Sequence, residues 1–327
     1  MNSSERARAL AEAGRPSEGL QLLRAAQAEG EAAAHFAEGL WQLEGRFVPR
    51  DLAQARASLE KAAEAGHIEA ARGLAAFIAR GVGAPADWEG ARRLLEAWKG
   101  EDPAAATQLD LIEKMRLDAD GNSTGEFSPR FICEAPRIVR VDEFLTTDEC
   151  AFLIELAEPR MKRSMIFSEE QQRFVEDPIR TSDLAAFPAI HEWPFVRAIN
   201  LRIARATETA VECAEPLQVL KYGPGQEYRP HYDSRLGIEN PRVITAIIWL
   251  NDDFAGGETC FDELGIAQRG APGDLLFFAN TLADGSPDPR SRHAGAPVTR
   301  GFKYLASRWI RARPWQARGR GSGGLRP

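Results

Sequence analysis

The sequence predicts an α+β protein in two parts: an N-terminal α-helical repeat solenoid, then a jelly-roll of two facing antiparallel sheets with flanking helices. Three observations carry this. Residues 1–115 are rich in Ala, Glu, Leu and Arg and nearly free of strand formers. That same stretch repeats itself at a fixed interval. From Glu215 onward, short apolar runs alternate with turn-rich gaps, the pattern of a two-sheet β structure.

The repeat is explicit. Gly45, Pro49, Asp51, Ala55 and Leu59 recur as Gly81, Pro85, Asp87, Ala91 and Leu95, a shift of 36 residues. Ala26, Gly30 and Ala34 recur as Ala62, Gly66 and Ala70 with the same shift. A period of this size marks helix pairs that stack on their neighbours. The glycines are placed to end helices, Asp51 and Asp87 to cap the next ones, and the alanines to let paired helices approach closely. Two units are clear and a third begins near Pro16. His35 and His67 fall inside this region and read as packing or surface residues.

Residues 116–135 are polar and turn-forming, so they read as a linker. Beyond it a second expected domain runs over 136–312, with its core at 214–312. A short strand over Arg137–Val141 opens it. Thr146 and Glu149 form a capping box for a helix carrying Cys150, Phe152, Leu153 and Leu156. A second helix is expected from Phe195 to Thr209, with Val196, Ile199 and Ile203 on one stripe. His191, just before it, reads as structural. Between the two helices, residues 163–187 are polar at their centre and poorly periodic. Val243–Leu250 is almost continuously apolar and reads as a buried central strand, as does Leu275–Phe278. Residues 313–327, rich in Gly and Arg, read as a loose tail.

Composition narrows the function. The chain of 327 residues is 44% hydrophobic and 27% charged, ordinary for a soluble globular protein. Its net charge of −7 argues against a nucleic-acid partner. The absence of an 18-residue apolar run argues against a membrane span. No apolar stretch suited to a secretory signal is visible at the N-terminus. The four cysteines (Cys133, Cys150, Cys213 and Cys260) lie far apart with no Cys-x-x-Cys, which suits reduced thiols in the cytoplasm.

The chemistry centres on residues 217–233. Alternation over Leu217–Tyr222 predicts a strand, Gly223-Pro224-Gly225 a turn, and beyond it stand His231 and Asp233. Residues two apart in an extended segment face the same way. An imidazole and a carboxylate thus leave the backbone side by side, able to reach one metal. Two histidines and one carboxylate on one face of an octahedron are the usual site of non-haem Fe(II) oxygenases. His293 is the candidate third ligand.

Several pieces then agree in order and spacing across roughly 136–312. They are Tyr222-Gly-Pro-Gly-Gln-Glu-Tyr, His231-Tyr-Asp233, Trp249-Leu-Asn-Asp, Gly256-Gly-Glu-Thr259, Pro272-Gly-Asp, and His293-Ala-Gly followed ten residues on by Lys303. Together they resemble the prolyl 4-hydroxylase family of 2-oxoglutarate- and Fe(II)-dependent dioxygenases, whose fold is a double-stranded β-helix. The resemblance implies Fe(II) held by His231, Asp233 and His293. It implies 2-oxoglutarate and O2 as co-substrates, with ascorbate as a candidate reductant. Lys303 matches the cation that holds the distal carboxylate of 2-oxoglutarate, and Tyr222 and Thr259 match its hydroxyl partners. Arg180-Thr-Ser182 matches the end of a loop over the substrate, which makes Arg180 a candidate substrate contact, and Trp309, expected to pack near the site, is the second. The carboxylate at Asp233 favours hydroxylation over halogenation. The N-terminal stretch Ala62-Ala-Glu-Ala-Gly-His-Ile-Glu-Ala-Ala71 resembles Sel1-type repeats, which hold protein or peptide partners.

The expected function is hydroxylation of a prolyl residue in a protein or peptide, releasing succinate and CO2. One alternative is hydroxylation of a free amino acid or small metabolite. Another is an adaptor whose oxygenase domain is inactive, which the intact ligand set opposes.

Overall fold

The structure is a computed structural model and describes residues 1–168 and 173–316. By internal contacts the chain falls into two units, residues 1–124 with 188–199, and residues 125–187 with 200–315.

The first unit contains α1 (Ser3–Glu12), α2 (Pro16–Ala28), α3 (Ala32–Glu44), α4 (Leu52–Glu64), α5 (Ile68–Arg80), α6 (Trp88–Trp98) and α7 (Pro103–Lys114). Each helix packs chiefly on its sequence neighbours, as a stacked repeat requires. The repeated residues perform the same task in each copy. Asp51 caps α4 by accepting from the Gln54 N–H at 3.0 Å, and Asp87 caps α6 by accepting from the Gly90 N–H at 2.7 Å. Gly45 and Gly81 end α3 and α5 at positive φ. His67 accepts from the Ala70 N–H and stacks on Phe36, so its role here is capping and packing. Small residues fill the repeat core: Ala55, Ala62, Ala63, Ala70 and Ala71 surround Leu59, Leu74 and Phe77.

Residues 188–199 group with these helices rather than with the strands that precede them in sequence. Ile190 is buried in the same core as Leu74 and Phe77. Arg72 lies over the Trp193 ring at 5.0 Å while also donating to Asp102, the cap of α7. Glu192, 1% exposed, accepts from Arg80 and Arg197. The sequence reading places 136–312 in one domain, whereas by internal contacts 188–199 group with the helices. The partners of 188–199 lie about a hundred residues upstream, beyond the reach of local periodicity.

The second unit carries the strands. They are β1 (Pro129–Cys133), β2 (Ile138–Val141), β3 (Lys162–Arg163), β4 (Met165–Ser168), β5 (Arg173–Glu176) and β6 (Asp183–Phe187). They continue with β7 (Leu217–Tyr222), β8 (Tyr228–His231), β9 (Arg242–Trp249), β10 (Ala255–Gly256) and β11 (Thr259–Phe261). The last are β12 (Ile266–Gln268), β13 (Leu275–Ala279), β14 (His293–Gly295), β15 (Val298–Arg300) and β16 (Lys303–Arg311). Helix α8 (Thr147–Ala157) accompanies them, while helix α9 (Pro194–Ala206) has its first residues in the first unit and the rest in this one, and Thr146 and Glu149 form the capping box of α8.

An eight-stranded sheet runs β1-β2-β13-β9-β16-β7-β6-β3, and a four-stranded sheet runs β12-β11-β14-β8. All pairings are antiparallel. Residues of both sheets meet in one apolar core, with Ile138, Leu220, Ile247, Trp249, Leu276, Phe278 and Leu305 from the larger and Phe261 from the smaller. This is the jelly-roll arrangement of two facing sheets. The continuous apolar run of β9 is explained by its place between β13 and β16.

Two segments differ from the sequence expectation. The stretch read as linker contains β1, paired with β2 at the edge of the larger sheet. The tail is also tied down at its start, where Arg313 bonds Asn240 and Glu239 and the Trp315 N–H donates to Glu212. Residues 317–327 lie outside the described residues. The polar segment 163–187 holds a β4–β5 hairpin, then β6, with 169–172 likewise outside. Among the described residues no helix is long and apolar enough to cross a membrane.

Candidate active site

Strand register builds the site. β8 and β14 pair antiparallel with His231 directly opposite His293. Residues 62 positions apart in sequence thereby present their imidazoles on one face, with ring centroids 4.3 Å apart. Asp233, just beyond β8, completes the group: its Oδ1 is 3.6 Å from His231 Nε2, and its Oδ2 is 3.5 Å from His293 Nε2. The ligand atoms of the three lie within 4.8 Å of one another.

The ring nitrogens are set for coordination. His231 Nδ1 is 2.9 Å from the Arg229 carbonyl, and His293 Nδ1 is 2.9 Å from the Ser291 carbonyl. A carbonyl only accepts, so each Nδ1 carries the proton and each Nε2 presents a lone pair to the cluster. His231 Nε2 and Asp233 Oδ1 are buried without a hydrogen-bond partner among the described residues. Orphaned acceptors of this kind are costly, and a shared divalent cation satisfies both at once. Two imidazoles and one carboxylate fit Fe(II) with free coordination positions.

Burial and charge oppose each other here. Burial pushes the Asp233 carboxyl up, but His231, His293 and Arg242 overcome it and hold the group well below the usual carboxylate range. Burial pushes His293 down to about 4, so it is neutral and able to ligate near pH 7.

One cavity joins the three residues to Tyr222, Thr259, Lys303 and Trp309, walled by Leu220, Ile247, Phe278 and Leu305. Lys303 and Tyr222 are cross-strand partners at the ends of β16 and β7. The Lys303 ammonium is 2% exposed and donates to the Gly257 carbonyl at 2.5 Å. Burial pushes it down to about 8. Burial likewise pushes Tyr222 up to about 12, so it remains a neutral hydroxyl. Thr259 stands opposite Gly295 on the smaller sheet. Arg180 does not line the cavity. Its guanidinium lies over the Tyr228 ring, 5.6 Å from the centroid.

The sequence model of the 2OG-Fe(II) oxygenase superfamily matches residues 217–311. Prolyl 4-hydroxylase 1 of Arabidopsis thaliana is 32% identical over 213 residues, 59% of this chain and 75% of the relative. Probable prolyl 4-hydroxylase 10 of Arabidopsis thaliana is 32% identical over 237 residues, 64% of this chain and 82% of the relative. The chain belongs to the prolyl 4-hydroxylase family. Among solved structures it is similar to the viral collagen prolyl hydroxylase of Paramecium Bursaria Chlorella virus-1, with 27% identity and a TM-score of 0.44, over 56% of this chain and 99% of that one.

In the sequence of this prolyl 4-hydroxylase-family chain Tyr228 stands only as the last residue of the Tyr222 motif, with no role assigned, and Arg242 carries no signal. Tyr228 stacks on His231 with ring centroids 3.5 Å apart, and burial raises its hydroxyl. Arg242 lies over Trp309 at 4.0 Å, bonds Glu215 through Nε and Nη2 at 2.6 and 2.9 Å, and brings Nη1 to 3.9 Å from Asp233 Oδ1. Tyr228 was legible as the i−3 neighbour of His231. Arg242 was not, because a lone arginine opening a strand carries no local signal.

Proposed function

We propose that this chain is a 2-oxoglutarate- and Fe(II)-dependent dioxygenase that hydroxylates a prolyl residue in a protein or peptide. The convergence of His231, Asp233 and His293 in one cavity with a buried lysine carries this reading. His231, Asp233 and His293 would hold Fe(II), which, when bound, supplies activation of O2 coupled to decarboxylation of 2-oxoglutarate.

The other roles follow from the chain's own groups. The Lys303 ammonium is a buried cation lining the cavity, suited to the distal carboxylate of 2-oxoglutarate. The Tyr222 and Thr259 hydroxyls face the same space and orient that co-substrate. Leu220, Ile247, Phe278 and Leu305 exclude water around the reacting groups. The Trp309 indole N–H is buried without a partner among the described residues, so it is free to donate to a substrate carbonyl. We assign Arg180 the role of steadying Tyr228 at the substrate side. Ascorbate is the reductant we assign. The helical repeats, as stacked pairs, present an extended surface of the kind that holds a polypeptide. The free thiols favour a reducing compartment, the cytoplasm.

The test is incubation of the iron-loaded protein with 2-oxoglutarate and a panel of proline-containing peptides, free proline and cell lysate. Succinate should form, and mass spectrometry should find one added oxygen on prolyl residues of polypeptides. Oxygen added to free proline alone would replace the polypeptide reading. No succinate with any of the three would overturn the reaction.

A further inference from the structure

Beyond the cavity-lining roles, one buried hydrogen-bonded chain connects the carboxylate ligand to the support of the distal histidine. Thr245 lies in β9, 2% exposed, and its hydroxyl is 2.5 Å from Asp233 Oδ2. The Asn280 amide nitrogen donates to the Thr245 hydroxyl, so the single hydroxyl proton of Thr245 goes to Asp233 Oδ2. The lone pair of the same hydroxyl accepts from Asn280 Nδ2 at 2.8 Å. That fixes the Asn280 amide with its nitrogen toward Thr245, and its Oδ1 has no partner among the described residues.

Asn280 acts a second time through its main chain. Its carbonyl accepts from the Asp288 N–H at 3.0 Å, and the Asp288 carbonyl accepts from the Ser291 hydroxyl at 2.7 Å, with the Asn280 carbonyl farther off at 3.4 Å. Ser291 in turn offers the carbonyl that holds His293 Nδ1. Asn280 is fully buried and follows β13 directly, with its own N–H donating to Val243 at the start of β9. The relay is therefore anchored on adjacent central strands, where the backbone has little freedom.

We propose that Thr245, steadied by Asn280, is the positioning residue of the metal site: it engages Asp233 Oδ2, locks the carboxylate rotamer and leaves Oδ1 as the oxygen offered to the metal. This rests on the assignment of His231, Asp233 and His293 as ligands. Partners of ligating groups outside the coordination sphere commonly change metal affinity about 10- to 100-fold. A hydroxyl donor also makes the carboxylate a one-oxygen ligand, which keeps coordination positions open.

The experiment is equilibrium dialysis of the full chain against Co(II), with thermal melting of each metal-free protein as a check on folding. Thr245→Val keeps the β-branched shape and should weaken Co(II) binding about 10- to 100-fold. Thr245→Ser keeps the hydroxyl and should restore binding to within a few-fold of the parent. Asn280→Ala should weaken binding less than Thr245→Val and add little to it in the double variant, as members of one relay do. Parent-like Co(II) affinity in Thr245→Val, or Thr245→Ser as weak as Thr245→Val, would overturn the proposal. Asp233→Ala separates the two readings. Parent-like binding there would show that the ligand assignment itself is wrong and would take the relay with it. Lost binding there with parent-like Thr245→Val would remove the relay alone.

Discussion

Lys303→Met isolates the buried charge proposed to anchor the co-substrate. The ammonium is buried in the cavity wall, and its pKa falls from 10.5 to about 8. That difference corresponds to about 3 kcal/mol between the charged and neutral forms. The sign follows from proton counts. Between about pH 8 and 10.5 the unfolded chain binds more protons at this position than the folded chain, so stability rises with pH through that window. Below pH 8 the destabilisation is fully present. Replacing the lysine with a neutral side chain of similar length removes it, at the lesser expense of the donor to the Gly257 carbonyl. The protein without metal or co-substrate should therefore melt higher at pH 7, by about 5 °C. Binding of 2-oxoglutarate should weaken in the same variant. Losing one partner of a buried charge pair costs about 3 kcal/mol, or roughly 100-fold in affinity. Succinate formation against 2-oxoglutarate concentration reads the second effect, and melting of the metal-free protein reads the first. For the parent, the requirement for 2-oxoglutarate should rise above pH 8 as free Lys303 loses its proton, and the variant should lack that step. An unchanged requirement for 2-oxoglutarate in Lys303→Met would refute the anchoring role. A lower melting point at pH 7 would refute the claim that burial of the charge is unfavourable.

Two further outcomes follow from particular contacts. Gly257 has a φ of 72° and supplies the carbonyl that holds Lys303; a Cβ there would lie 3.0 Å from Lys303 Cδ and 3.2 Å from Val298 Cγ2. Gly257→Ala should displace the ammonium, raising the KM for 2-oxoglutarate about 10-fold with Co(II) affinity unchanged, whereas a proportional loss of Co(II) binding would show general disruption instead. Deleting residues 1–124 takes away the groups that bury Ile190, Trp193 and Glu192, including Leu74, Phe77 and Arg80. Two large apolar side chains lose about 2 kcal/mol each, so the shortened chain should self-associate in size-exclusion chromatography. A monodisperse shortened chain would contradict this.

The sequence by itself determined the periodic and local features. The 36-residue shift specifies helix pairs because each repeat must present the same apolar face to the next. Asp51, Asp87 and the Thr146–Glu149 box announce helix starts because capping is completed within one turn. His231 and Asp233 share a face because strand geometry places residues two apart on one side. The motif order from Tyr222 to Lys303 was enough to nominate the metal and co-substrate residues.

What tertiary structure decided was every relation between distant segments. Only the register of β8 against β14 sets His293 opposite His231. Only the pairing of β9 with β13 brings Asn280 to Thr245, whose hydroxyl meets Asp233. The guanidinium of Arg242 reaches Trp309 and Glu215 by the same route, and residues 188–199 join helices encoded a hundred positions earlier. None of these leaves a local signal, because cross-strand contact and burial depend on which segments become neighbours. A hydroxyl or arginine reads alike in sequence whether it faces water or a ligand carboxylate, and its neighbours in space make the difference.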